Sequence, residues 1–140
     1  MIPVKIYIES TIWQEADQGP EVIRQELSGR FQEKGSGEWI LWYKENSGTS
    51  AEIVTAVKSR PDQILIVRQG AVSYRQFYKP GQKMRSVVYT PAGSTEMEVE
   101  TLTYQRKRLN REGLISFSFL LHMGKQKLGK YKLGIRWIGG

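Results

Sequence analysis

The stretch Ile115 to Trp137, ISFSFLLHMGKQKLGKYKLGIRW, decides the fold. Taken every second residue, it places Ile115, Phe117, Phe119, Leu121 and Met123 on one face. After Gly124 a second run places Tyr131, Leu133, Ile135 and Trp137 on one face, with Lys130, Lys132 and Arg136 on the other. A period of two is that of a β-strand, whose successive side chains point to opposite sides of the sheet. The glycine and polar residues between the runs make the pair a hairpin. Its apolar side is expected to be packed interior and its cationic side to face water.

The same alternation extends outward. Val4, Ile6 and Ile8 alternate with Lys5, Tyr7 and Glu9, and Trp39, Leu41 and Tyr43 alternate with Glu38, Ile40, Trp42 and Lys44. Ile53 and Val57 flank Thr55, and Met97 and Val99 face away from Glu96, Glu98 and Glu100. Segment 64–67, ILIV, is apolar on both faces, as expected of a strand covered on both sides. Turn signals rich in Gly, Pro, Asn and Asp fall at 17–20, 34–37, 45–50, 59–62, 79–82, 90–94, 110–113 and 123–127.

Segment 19–29, GPEVIRQELSG, admits two readings. Pro20 near a first turn, Ile23 and Leu27 four apart and Gly29 as a cap spell a short helix. The same residues can equally belong to a long strand with a glycine bulge at Gly29. Short links between strands favour an all-β, single antiparallel up-and-down β-barrel of about 8–10 strands, since a Greek-key sandwich needs a long crossing connection.

With 140 residues, 39% hydrophobic and 25% charged, residues 1–140 are read as one domain, large enough to bury a core without disulfides or metals. The absence of cysteine removes thiolate catalysis, disulfides and Cys-based zinc sites. No apolar run approaches the ~20 residues that cross a bilayer, so no membrane association is expected. The N-terminal MIPVKIYIES lacks the uninterrupted apolar core of a signal peptide, which makes the cytoplasm the expected location. The formal charge of +7 attracts polyanions without any special site, so nucleic acid stays among the conceivable partners.

At DQILIVRQGAVSYRQF and VVYTPAG the chain resembles the YwiB-like family of small bacterial proteins. The matching features are Arg68 and Gly70 closing ILIVRQG, Arg75 and Phe77 in YRQF, the YTPAG turn from Tyr89 to Gly93, and WYKE from Trp42 to Glu45. Their order and spacing agree over nearly the whole chain. The resemblance implies a calycin-like (lipocalin-like) β-barrel of unknown function, and it tips segment 21–34 toward strand. The chain departs from the family pattern at Phe119, where the family often carries Tyr, and in its basic C-terminal strand.

The candidate ligand-binding residues are Arg68, Arg75, Tyr43, Glu45, Tyr89, Thr90 and His122. Arg68 shares a face with Ile64 and Ile66, and Arg75 shares one with Ala71, Ser73 and Phe77. If both heads point to the barrel mouth, two guanidinium forks hold a carboxylate or phosphate; otherwise Arg68 pairs with Glu45 and pins two strands. His122, the lone histidine, shares a face with Leu114, Ser116, Ser118 and Leu120 and is read as a strand-end histidine before a haem ligand. One histidine and scattered carboxylates match no metal spacing, and no nucleophile, base and orienting group stand together, so neither a cofactor nor catalysis is expected.

The function expected is therefore a non-catalytic binding module, monomer or homodimer, for a small amphipathic or anionic ligand at the barrel mouth. The alternative is an RNA or nucleic-acid accessory using the basic clusters 106–111 and 125–136. Against that alternative, Tyr131 shares its face with Leu133, Ile135 and Trp137, opposite Lys130 and Lys132, so ring and cations point apart.

Overall fold

The structure is a computed structural model that describes residues 1–14 and 19–139. Ten strands follow in order: β1 (Ile2–Trp13), β2 (Glu21–Lys34), β3 (Glu38–Glu45), β4 (Ile53–Ser59), β5 (Ile64–Gly70), β6 (Tyr74–Tyr78), β7 (Lys83–Thr90), β8 (Gly93–Leu109), β9 (Glu112–Met123) and β10 (Gln126–Gly139). The sheet order is β6-β5-β4-β3-β2-β1-β10-β9-β8-β7, every pair antiparallel. The two edge strands are consecutive in the chain, so the twisted sheet curls until they meet, as the alternation predicts for an up-and-down barrel.

Closure at that last seam differs from every other. One isolated bridge joins Ser73 to Tyr89, with reciprocal backbone hydrogen bonds of 2.9 and 2.8 Å. Beyond it the buried Gln76 side chain takes over: Nε2 donates to the carbonyls of Phe77 (2.8 Å) and Met84 (3.3 Å), and Oε1 accepts from Ser86 Oγ (2.7 Å). A side-chain amide carries one donor group and one acceptor group like a peptide unit, so it can stand in for a ladder bond.

Segment 19–29 is not helical. From Glu21 it runs as β2, paired with β1 along Glu21–Phe31 and with β3 from Gly29 onward. Ile23 and Leu27 are four apart and therefore also two strand periods apart, which is why the helical spacing misleads. The register is unbroken at Gly29; a Cβ there would overlap the Trp42 carbonyl and the Ile6 side chain, so the glycine serves close approach and not a bulge. The register shifts lie at Thr101/Thr103 and Lys127/Gly129. Residues 17 and 18 of the turn expected at 17–20 lie outside the described residues.

Inward residues make the core. One end, which holds the β2–β3, β4–β5, β6–β7 and β8–β9 turns, is plugged by Trp137 stacked on Phe31 (4.9 Å) and edge-on to Trp39 (5.6 Å). Arg106 lies 3.8 Å over the Trp39 ring and donates to the Gly37 and Ser59 carbonyls, and Arg108 pairs with Glu33 at 2.8 Å. In the middle Tyr78 touches Phe117 and Phe119, each at 4.9 Å. The double-sided ILIV is half explained by this packing. Ile64 and Ile66 are core, while Leu65 and Val67 face out where no second layer lies, among the described residues.

Candidate functional site

The other end of the barrel is different. Tyr43, Thr55, Arg68 and Tyr74 form a single row across β3 to β6, each directly opposite the next in the ladders. All four take the inward phase of their strands, which places three polar side chains and a guanidinium on the inner wall. Glu45, one inward position beyond Tyr43, accepts from Arg68 Nη2 at 2.9 Å and from Gln25 Nε2 at 3.3 Å. The pair is shielded but reached by water, with side-chain exposures of 23% for Arg68 and 19% for Glu45.

Protonation follows from this burial. Desolvation, reinforced by the Glu45 charge, pushes the Tyr43 phenol well above its ordinary value. Burial likewise raises Tyr74 and Tyr78. Burial works against the Arg68 cation, but Tyr74 and Glu45 together more than offset it. At neutral pH the wall therefore presents two neutral phenols beside the Thr55 hydroxyl and an ion pair of zero net charge. The Arg68 guanidinium also lies 5.7 Å from the centre of the Tyr74 ring.

Around the circle, β9 and β10 stand across from β4 and β5. They supply Leu121, Met123, Tyr131 and Leu133, inward but only partly buried, above a Phe119 ring stacked on Tyr131 at 5.6 Å. Leu27 joins them from β2. The mouth thus has a polar wall and an apolar wall. It offers hydrogen-bond donors, an acceptor and greasy surface, but no nucleophile set against a base.

The structure brings together Tyr43, Glu45 and Arg68 of the expected site residues on the inner wall, and Arg68, Arg75 and Tyr89 line one cleft at the β6–β7 seam, while Thr90 and His122 lie apart. Arg75 takes the outward phase of β6, opposite Val67 and beside Phe77, so the two arginines leave opposite faces of the wall, although both line the cleft at its β6–β7 seam. Arg68 faces Tyr74 across the hairpin, and that register sends the next residue outside. Tyr89 also faces out and is 57% exposed, contributing backbone to the seam. Thr90 closes the β7–β8 turn, its hydroxyl donating to the Gly93 carbonyl and accepting from the Ala92 amide, both at 3.2 Å. His122 lies on the outer face in register with Glu98 and Lys127, away from the aromatic interior. Sequence reasoning missed Gln25, Thr55 and Tyr74. Tyr74 was hidden because its inward phase follows from the register Arg68↔Tyr74, which the sequence alone does not fix.

No group of three or more His, Asp or Glu side chains is placed to hold a metal ion, among the described residues. Nor is any helix among them long and apolar enough to cross a membrane.

Fold and site together define a small all-β meander barrel, plugged at one end and amphipathic at the other. The chain belongs to the family described as a domain of unknown function (DUF1934), whose pattern matches residues 6–135. It is similar to the uncharacterized beta-barrel protein YwiB of Bacillus subtilis (strain 168), 25% identical over 138 residues that span 99% of this chain and 94% of that one. The crystal structure of the ywiB protein from Bacillus subtilis shares the fold, with a TM-score of 0.85 at 23% identity over 99% of this chain and 92% of the other.

Proposed function

We propose that this protein is a cytoplasmic, non-catalytic binding module for a small amphipathic molecule held in the barrel mouth. The observation that carries the reading is the Glu45–Arg68 pair, set with the Tyr43 and Tyr74 hydroxyls on an inner wall that faces Leu121, Met123, Tyr131 and Leu133. Pockets for small ligands are commonly apolar with a few placed polar groups. Because the ion pair cancels and the phenols stay protonated, an uncharged acceptor head such as an amide or ester suits the polar wall. Its alkyl or aryl body would lie against the apolar one.

The test is a fluorescence titration with N-phenyl-1-naphthylamine, a neutral amphipathic probe, with octanamide as competitor. The expected result is saturable enhancement that octanamide reverses. Leu121→Trp, which fills the mouth, should weaken it about tenfold, and Arg75→Gln on the outer face should leave it unchanged. Equal binding by wild type and Leu121→Trp contradicts the reading.

A second reading, single-stranded nucleic acid, is favoured by one pair of contacts absent from the sequence argument. Tyr7 and Trp13, both outward on β1, lie under Arg136 (4.8 Å) and Lys130 (5.2 Å) of β10. Rings and cations thus do share a face, across strands and not along one. Binding of a fluorescent oligothymidine that falls steeply between low and moderate salt supports it; a flat salt response removes it.

A further inference from the structure

The outer face of β4 to β6 carries a feature the mouth does not absorb. Leu65 points away from the barrel axis, with no element packed over it among the described residues, yet it is only 8% exposed. In the ladders it lies between Lys58 and Phe77, and Val67 beside it lies opposite Arg75. Ile40, outward and in register with Lys58, is 2% exposed. These residues make a small apolar floor on the outside of the wall.

Two adjoining clefts, of about 290 and 610 Å³, open over that floor and share Lys58 and Arg75 as lining residues. Glu38 is the one carboxylate that lines either cleft, and Arg60 engages it at 3.0 Å. Arg75 packs 5.6 Å from the Phe77 ring centre, and neither it nor Lys58 has a carboxylate partner among the described residues. Their strands are two apart and the residues offset by two positions, about 12 Å at the backbone, a gap that the long stems of Lys and Arg can close around one anionic group.

We propose that this face is a second binding site, for an organic anion whose phosphate or carboxylate head sits between Lys58 and Arg75 and whose apolar body lies on Leu65, Val67 and Phe77. Arg75 offers a planar two-pronged donor and Lys58 a mobile point charge, a combination that holds an oxyanion from two sides. The apolar floor selects anions that carry a ring or short chain over bare inorganic ones. The wider cleft is also lined by Arg68, Tyr74 and Ser86, so the site adjoins the mouth row at the β6–β7 seam while its apolar floor lies on the outer face.

The experiment is an amide chemical-shift titration of the full chain with phenyl phosphate, phenylacetate and inorganic phosphate. Saturable shifts around Lys58, Leu65, Val67, Arg75 and Phe77 are expected, with the better aryl anion binding about tenfold more tightly than inorganic phosphate. The tighter of the two aryl probes identifies the head. The double variant Lys58→Gln/Arg75→Gln should weaken that probe about tenfold or more while its thermal unfolding stays unchanged. Shifts that instead map to Tyr43, Leu121, Tyr131 and Leu133, undiminished binding by the double variant, or no shift at millimolar probe each overturn the proposal. None of these results bears on neutral-probe binding at the mouth.

Discussion

Ser86 Oγ donates to Gln76 Oε1 at 2.7 Å, and this contact between side chains helps hold shut the one seam that backbone ladders leave open. Elsewhere around the barrel, adjacent strands exchange main-chain hydrogen bonds along most of their length. Between β6 and β7 a single bridge and the Gln76 amide do this work.

Replacing Gln76 by Leu should therefore cost about 1–2 kcal/mol, since it removes a fully buried amide that satisfies the half-buried Met84 carbonyl and Ser86 hydroxyl. Ser86→Ala should cost nearer 1 kcal/mol. Urea unfolding measures both. Amide exchange should quicken in β6 and β7 of the Gln76 variant while the β1–β10 pairing keeps its protection.

The Glu45–Arg68 pair yields a sharper test. Arg68→Met leaves a carboxylate on the inner wall with only Gln25, and at this partial exposure should cost about 2 kcal/mol. Glu45→Gln/Arg68→Met removes both charges and should recover most of that loss. A double-mutant cycle by denaturant unfolding reads the coupling directly.

Alkaline pH should unfold the protein cooperatively. Burial raises the folded-state pKa of Tyr43, Tyr74 and Tyr78 above the unfolded value near 10. Above about pH 10 the folded state then binds more protons than the unfolded one, so the stabilisation is complete below that pH and is lost as pH rises toward the folded values. Phenolate absorbance should rise together with loss of structure, and Tyr43→Phe/Tyr74→Phe should flatten the fall in stability with pH.

Gly113 tests the plugged end. A Cβ there would overlap the Trp137 ring that stacks on Phe31. Gly113→Ala should cost about 1–3 kcal/mol through overpacking, read as a lowered Tm, and leave binding at the far mouth unaltered.

Much of this architecture was legible in residue phase. Phe117, Phe119, Ile135 and Trp137 are core because a strand with one wet side has no other place for them. Arg68 lay inward for the same reason, and its pairing with Glu45 followed once β3 and β5 flanked β4. What the chain alone left open was phase across turns. Arg75 falls outside, and Tyr74 inside, because of the hairpin register at Arg68↔Tyr74, which depends on the geometry of the Gly70–Ser73 turn. Neighbours from distant strands were equally hidden: Tyr7 meets Arg136 only after β1 and β10 zip together. Gln76 reads in sequence as one more polar strand residue, and its role as a latch exists only once the ring closes.

The central claim, that the unplugged end of the barrel is the binding site, is tested most directly by mapping backbone and methyl chemical shifts on titration with octanamide. Saturable changes should gather at Tyr43, Arg68, Tyr74, Leu121 and Leu133. Changes confined to outward residues such as Val67, Phe77, Tyr7 and Arg136, or no change at all, would contradict it.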